Sequence, residues 1–178
     1  MNMDGKKIVI TGGAGFIGSN LVKRVMQTNQ VTVIDDLSTG NLDNIQEYID
    51  KKTIRFFKGT VTDLPFLQKT FNDIDYVFHQ AAIPSVPRSV KDPYTSNYVN
   101  AYGSLNVLIA AKDNQVKKVV YASSSSVYGV TPTLPKKEDM KPQPLSPYAV
   151  SKLTGEYYCD VFTRIYHLPP VALRYFNA

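Results

Sequence analysis

Few features in this sequence stabilise or address the chain by themselves. There is one cysteine, Cys159, in 178 residues, so no disulfide can close within the chain and packing must carry the fold. No apolar run approaches the roughly 20 residues that a membrane-crossing helix needs. Residues 1–7 lack the long apolar stretch of a secretory leader, which makes the cytoplasm the expected address. No internal repeat or low-complexity tract is visible, which leaves a solenoid without support. Charge is not concentrated either: 20 basic side chains exceed 15 acidic ones by five, but they are scattered, and a nucleic-acid-binding stripe is not expected. The excess reads as solvated surface lysine with a modest field favouring anionic ligands such as a nucleotide. No metal site is expected.

What is present is ordinary globular material, 43% apolar and 20% charged, enough for one domain with a sizeable core. Short runs rich in Val and Ile at residues 7–11, 31–35, 54–57, 76–79, 118–122 and 171–174 read as strands. Helical patterns lie between most of them, at 16–28, 64–71, 95–112 and 147–166, with a shorter one at 41–50. Strand alternating with helix predicts an α/β fold, a doubly wound parallel sheet with right-handed crossovers. Residues 132–147 break the rhythm with five prolines and are expected to form a long surface loop.

Between the first strand and first helix stands Gly12-Gly-Ala-Gly15-Phe16-Ile17-Gly18. Gly12 permits a tight turn, Gly15 lets backbone approach a pyrophosphate, and Gly18 lets the helix pack close to the strand, with free N–H groups at the helix start for the phosphates. Asp35 ends the second strand, 23 positions after Gly12, where its carboxylate can accept hydrogen bonds from an adenosine ribose and repel a 2′-phosphate. That combination predicts a Rossmann-type domain binding NAD rather than NADP. Asp36 is either a second cofactor contact or a solvated loop acid. Asp63 is either a partner for the adenine amino group or the N-cap of the helix that follows. Ala81 and Ala82, after the fourth strand, put small side chains beside the cofactor, and His79 before them reads as a packed strand residue.

Tyr148 and Lys152 stand four apart on one helix face, so an ammonium can lie near the phenol and lower a pKa that is ordinarily near 10. The serine run 123–126 ends the fifth strand, on the side of the sheet that faces the ligand crevice. A hydroxyl there can hydrogen-bond the substrate oxygen that the tyrosine deprotonates.

Over the whole chain TGGAGFIGSN, YASSSSVYG and Tyr148-x-x-x-Lys152 resemble the extended short-chain dehydrogenase/reductase family. HQAAIPSVPRS, PLSPYAVSK and LRYFN further resemble its nucleotide-sugar 4-epimerases, which act on UDP-N-acetylglucosamine and UDP-glucose. The resemblance implies that Ser124 sits beside the reacting oxygen, Tyr148 is the base, and Lys152 tunes it and holds the nicotinamide ribose. It implies that Ser125 and Ser126 line the same site, Asn100 lies near the nicotinamide, Asn177 meets the sugar diphosphate, and the loop from Ser85 to Ser89 faces the sugar, with Arg88 alternatively a surface cation. The implied reaction oxidises the sugar 4-hydroxyl to a 4-keto sugar and then reduces it on the other face, regenerating NAD. Family 4,6-dehydratases and decarboxylases carry an acid after the catalytic hydroxyl, where this chain has Ser125 and Ser126. A homodimer is implied, through helices 95–112 and 147–166. Because the chain stops just after a sixth strand, it is expected to be the NAD-binding part of a two-domain enzyme whose C-terminal substrate domain is missing. Were the chain complete, an NAD-binding module without turnover would be the competing reading.

Overall fold

The computed structural model describes residues 3–131 and 134–176. Six strands, β1 (Lys7–Thr11), β2 (Gln30–Asp35), β3 (Ile54–Lys58), β4 (Tyr76–His79), β5 (Lys118–Ser124) and β6 (Val171–Tyr175), form one sheet in the order β3-β2-β1-β4-β5-β6. Every neighbouring pair is parallel. The crossovers carry the helices α1 (Phe16–Val25), α2 (Gln46–Asp50), α3 (Leu64–Thr70), α4 (Val86–Lys91), α5 (Pro93–Asn97), α6 (Gly103–Asp113) and α7 (Pro147–Tyr166). This is the doubly wound α/β architecture expected from the alternation of strand and helix.

Both faces of the sheet are apolar because it is sandwiched between helices. In β1 the alternation of a strand sends Ile8 and Ile10 to one side and Val9 to the other. Ile8 and Ile10 pack with Val22 of α1 and with Ile45, whereas Val9 joins Leu67, Phe71, Val107 and Phe162 beneath α3, α6 and α7.

Several segments differ from the sequence reading. The stretch expected as a loop at Ser85 begins a helix: Ser85 is the N-cap of α4 and its hydroxyl accepts from the Arg88 N–H, with Pro87 in the first turn, where its missing N–H costs nothing. The helix expected at 95–112 is a composite in which Tyr98–Tyr102 winds as a π-helical turn between α5 and α6. Asn100 and Ala101 are buried in that turn. β5 runs on through Ser123 and Ser124, which pair with Arg174 and Tyr175 of β6. The expected helix at 41–50 divides into a 3-10 turn, Leu42–Asn44, and α2.

The long helix α7 lies against β5 at Gly155, where an added Cβ would stand 2.3 Å from the Tyr121 hydroxyl oxygen. Gly155→Ala should therefore cost about 1–3 kcal/mol by overpacking. An unchanged urea midpoint would show that the helix does not depend on this close approach.

Candidate active site

The sheet reverses its direction of winding between β1 and β4, and a cleft of about 610 Å³ opens over the ends of those strands. Gly12 has φ +72°, and a Cβ on it would stand 2.6 Å from the Ala81 backbone nitrogen, so both its conformation and its neighbour demand glycine. Gly15 caps α1 with no side-chain hydrogen bond and no acidic residue follows in the first turn, so the helix start presents backbone N–H groups and positive dipole to the cleft. Gly12, Gly15, Phe16, Ile17 and Gly18 all line it.

Asp35 stands at the end of β2, 7% exposed. Its carboxylate accepts from the Ala14 N–H and the Leu37 N–H, each at 2.9 Å, which fixes its orientation and leaves about two of its four lone-pair positions for a ligand. Asp36 also lines the cleft, with one oxygen accepting from the Ser38 N–H at 2.8 Å. Ala81 and Ala82 form the opposite wall.

At the other end of the cleft lie Ser124, Ser125, Tyr148 and Lys152. The Lys152 ammonium is buried, donates to the Ala122 carbonyl at 2.8 Å, and lies 5.1 Å and 5.9 Å from the ring centroids of Tyr121 and Tyr148. Burial lowers its pKa to about 8. Burial acts on the Tyr148 phenol in the opposite sense, raising it, while a hydrogen bond from Ser124 pulls it down. Lys152 stands near the phenol as expected, and Ser124 is the group whose hydrogen bond opposes the burial.

The serine is arranged for that part. Its Oγ accepts from the Ser126 N–H at 3.2 Å and from the Ser126 hydroxyl at 2.9 Å. With its lone pairs engaged, its own hydrogen remains free to be donated, towards the tyrosine oxygen or an oxygen beside it. Ser126 therefore stands behind Ser124 and orients it rather than lining the cleft, as Ser125 does.

Other expected site residues are placed differently. Asn100 does not line the cleft: its Oδ1 accepts from the Ile83 N–H at 2.7 Å, and its Nδ2 donates to the Ile83 carbonyl and the Ser151 hydroxyl. It acts on the cleft through Ile83, which does line it. The Asp63 carboxylate takes the N-cap alternative, accepting from the Phe66 N–H at 3.0 Å, while Gly59 and Val61 occupy the wall instead. The Ser85 side chain is exposed and engaged in capping α4, and Arg88 is exposed beside it. Asn177 lies outside the described residues.

His79 is the packed strand residue expected. Its Nδ1 meets the Thr11 hydroxyl at 2.7 Å and its Nε2 the Ser104 hydroxyl at 2.9 Å. Since Ser104 donates onward to the Asn100 carbonyl, the network assigns the ring hydrogen to Nε2. Burial first, then the charge of Lys152, lowers its pKa to about 3, so the ring is neutral.

Gln80 and Ile83, which follow the fourth strand with Ala81 and Ala82, line the cleft as their position in the sequence suggests, whereas sequence reasoning missed Thr39, Gly40, Tyr175 and Phe176, which line it too. The signal available for most of them was position, since each follows the carboxyl end of a strand on the crevice side.

Residues 8–178 match the model of the NAD dependent epimerase/dehydratase family. UDP-glucose 4-epimerase of Mycolicibacterium smegmatis is 40% identical over 166 residues, covering 91% of this chain and 53% of the relative. Among solved structures, UDP-N-acetylglucosamine 4-epimerase of Methanobrevibacter ruminantium, in complex with UDP-N-acetylmuramic acid, superposes with a TM-score of 0.94 at 44% identity, over 98% of this chain and 56% of that one. UDP-glucose 4-epimerase of Thermus thermophilus, in complex with NAD, superposes with a TM-score of 0.88 at 38% identity, over 95% of this chain and 54% of that one. The chain spans about half the length of the curated relatives it matches. A glycine turn facing Ala81, a carboxylate at the end of β2, and a serine, tyrosine and lysine converging on one cleft agree with that match, and the chain belongs to the NAD-dependent epimerase/dehydratase family.

Proposed function

We propose that residues 1–178 form the NAD-binding part of a nucleotide-sugar 4-epimerase acting on a UDP-hexose or UDP-N-acetylhexosamine. The observation that carries this reading is the convergence of Ser124, its hydroxyl held by Ser126, with Tyr148 and the buried ammonium of Lys152 in one cleft that the glycine turn also lines.

The residues present fit the dinucleotide. The glycine turn leaves the start of α1 open to the cleft without a side-chain cap, and the Gln80 amide, in the cleft wall, has buried Nε2 and Oε1 atoms with no hydrogen-bond partner among the described residues. The first turn of α1 would hold the phosphates, Asp35 with Asp36 the adenosine ribose, and Lys152 with Tyr148 the nicotinamide ribose. Bound there, NAD supplies a reversible hydride acceptor.

The chain's own groups handle the proton. Tyr148, as phenolate, takes the proton of the sugar 4-hydroxyl and returns it after the intermediate has turned over. Before the sugar binds, the Ser124 hydrogen opposes the burial that otherwise favours the neutral phenol, and with the sugar in place it is available to the 4-oxygen instead. Ser125 and Ser126 stand where family dehydratases and decarboxylases carry an acid, and a hydroxyl there cannot serve as the base for an elimination, which favours epimerisation.

A homodimer in the cytoplasm completes the reading. Tyr94, Tyr98 and Tyr102 stack in a ladder with centroid separations of 6.2 and 5.2 Å, and all three are exposed. Tyr157, Val161 and Ile165 are exposed on α7, so the two helical segments named for the dimer both carry apolar surface.

Full-length protein incubated with UDP-N-acetylglucosamine, UDP-glucose and UDP-glucuronate should convert at least one to its 4-epimer. Tyr148→Phe should lower that turnover about 10²- to 10⁴-fold while leaving NAD bound. A 4-keto-6-deoxy product without any epimer would sink the reading in favour of a dehydratase, and bound NAD with no product from any nucleotide sugar would favour a module without turnover. In calorimetric titration, Asp35→Ala should weaken NAD binding about tenfold or more, since hydrogen bonds to a charged group contribute about 1.5–3 kcal/mol; equal affinity would remove Asp35 from the site. Sedimentation of the full-length protein should give twice its chain mass, and Tyr98→Glu should reduce it to the monomer; a monomeric parent would end the dimer assignment.

A further inference from the structure

Glu156 has no part in the chemistry described above, yet it ties the helix that carries Tyr148 and Lys152 to the strand that carries Ser124. It follows Tyr148 and Lys152 on α7 at the same four-residue interval, so the three share one stripe of the helix. Its Oε1 accepts from the Ser123 hydroxyl at 2.5 Å and from Arg174 Nε at 2.9 Å, and its Oε2 accepts from Arg174 Nη2 at 2.8 Å. The fork is sheltered, the side chains of Arg174 and Glu156 being 17% and 12% exposed, so solvent does little to weaken it. The Arg174 guanidinium lies over the Tyr128 ring, 4.6 Å from its centroid.

Each of these contacts leads to Ser124 or to one of its partners. Ser123 pairs with Arg174 across β5 and β6, and the next residue, on the opposite face of the strand, is Ser124. Tyr128 ends the 3-10 turn Ser125–Tyr128, which carries Ser126, the residue that orients the Ser124 hydroxyl. Tyr148 stands two turns before Glu156 on α7. The hydroxyl and the phenol thus come from different elements, and Glu156 is bonded to a residue of β5 and a residue of β6 while belonging to the helix itself.

We propose that Glu156 is a positioning residue, which through Ser123 and Arg174 sets the separation of Ser124 from Tyr148. The proposal rests on the reading of Ser124 and Tyr148 as the reacting pair. A displaced Ser124 no longer donates to the phenolate, and the group that opposes the burial of Tyr148 is lost. The charged and titratable groups near that phenol are Lys152 on its own helix and Tyr121 on the strand beneath; neither is hydrogen-bonded to Glu156 through its side chain, though the Tyr121 phenol feels the Glu156 charge.

The test uses the full-length protein with NAD bound and tyrosine labelled with carbon-13 at the phenolic carbon, the Tyr148 signal being assigned through Tyr148→Phe. Glu156→Gln and Ser123→Ala should each raise the Tyr148 titration midpoint by about one unit. Both should lower kcat near neutral pH roughly 10- to 100-fold, with the sugar KM and the NAD affinity changed by less than about threefold. Added to Ser124→Ala, neither should shift the midpoint further. A midpoint that stays in place in both variants, or a second shift on top of Ser124→Ala, would overturn the proposal. If Glu156→Gln fails to fold, Ser123→Ala decides, because it leaves the ion pair with Arg174 intact. The titration needs no sugar, so a parent enzyme that epimerises nothing would refute the functional reading while the midpoints still judge the positioning role.

Discussion

Two adjacent strands in the middle of the sheet send their chains off to opposite faces, and the gap between them is where everything else gathers. The end of β1 must turn so tightly beside the end of β4 that a single added carbon at Gly12 would collide with the backbone of Ala81. That contact brings the start of α1, the carboxylate of Asp35 and the small wall residues to one end of a common cleft. The polar core beneath it is equally constrained. Thr11, His79, Ser104 and Asn100 form one line of hydrogen bonds running from the strand before the glycine turn to the π-helical turn, and Asn100 ends it by gripping the backbone of Ile83. The neutral imidazole belongs to this framework, with both nitrogens occupied.

At the other end of the cleft, geometry and electrostatics pull in different directions. Burial disfavours a charged phenol at position 148 and a charged ammonium at position 152 alike, and it is felt by both. What offsets it for the phenol is a hydroxyl from a neighbouring strand, so the acid–base character of the site depends on how α7 is set against β5. That setting is shaped by the absence of a side chain at position 155, by the hydrogen bond from Lys152 to the Ala122 carbonyl and by the hydrogen bonds of the carboxylate at position 156.

Much of this was legible in the residues themselves. The limits of β1 and β4 follow from short apolar runs, and those of α7 from its helical pattern behind Ser146 and Pro147, a capping residue and a first-turn proline. The glycine turn and Asp35 could be placed because their spacing has a geometric purpose. The short helix α4 was hidden by Pro87, which reads as a breaker unless Ser85 is recognised as a cap. The π-helical turn leaves no compositional trace, since one additional residue in a turn changes neither polarity nor period. Asp63 had two uses open to it, and only the direction of its carboxylate decides between them. The role of Ser126 depends on hydrogen-bond direction, which sequence does not carry, and a glutamate on a helix reads as surface charge until its partners on two other elements are seen.

The engaged lone pairs of Ser124 give the site a polarity before any ligand arrives. An oxygen settling between Ser124 and Tyr148 finds a donor on one side and an acceptor on the other, whichever face of the sugar ring is turned inward. In the proposed reaction the two epimers would then be held by the same oxygen in the same sense. At that point the protein would not distinguish the two bound epimers, and any difference in how tightly they are held would have to arise elsewhere in the pocket.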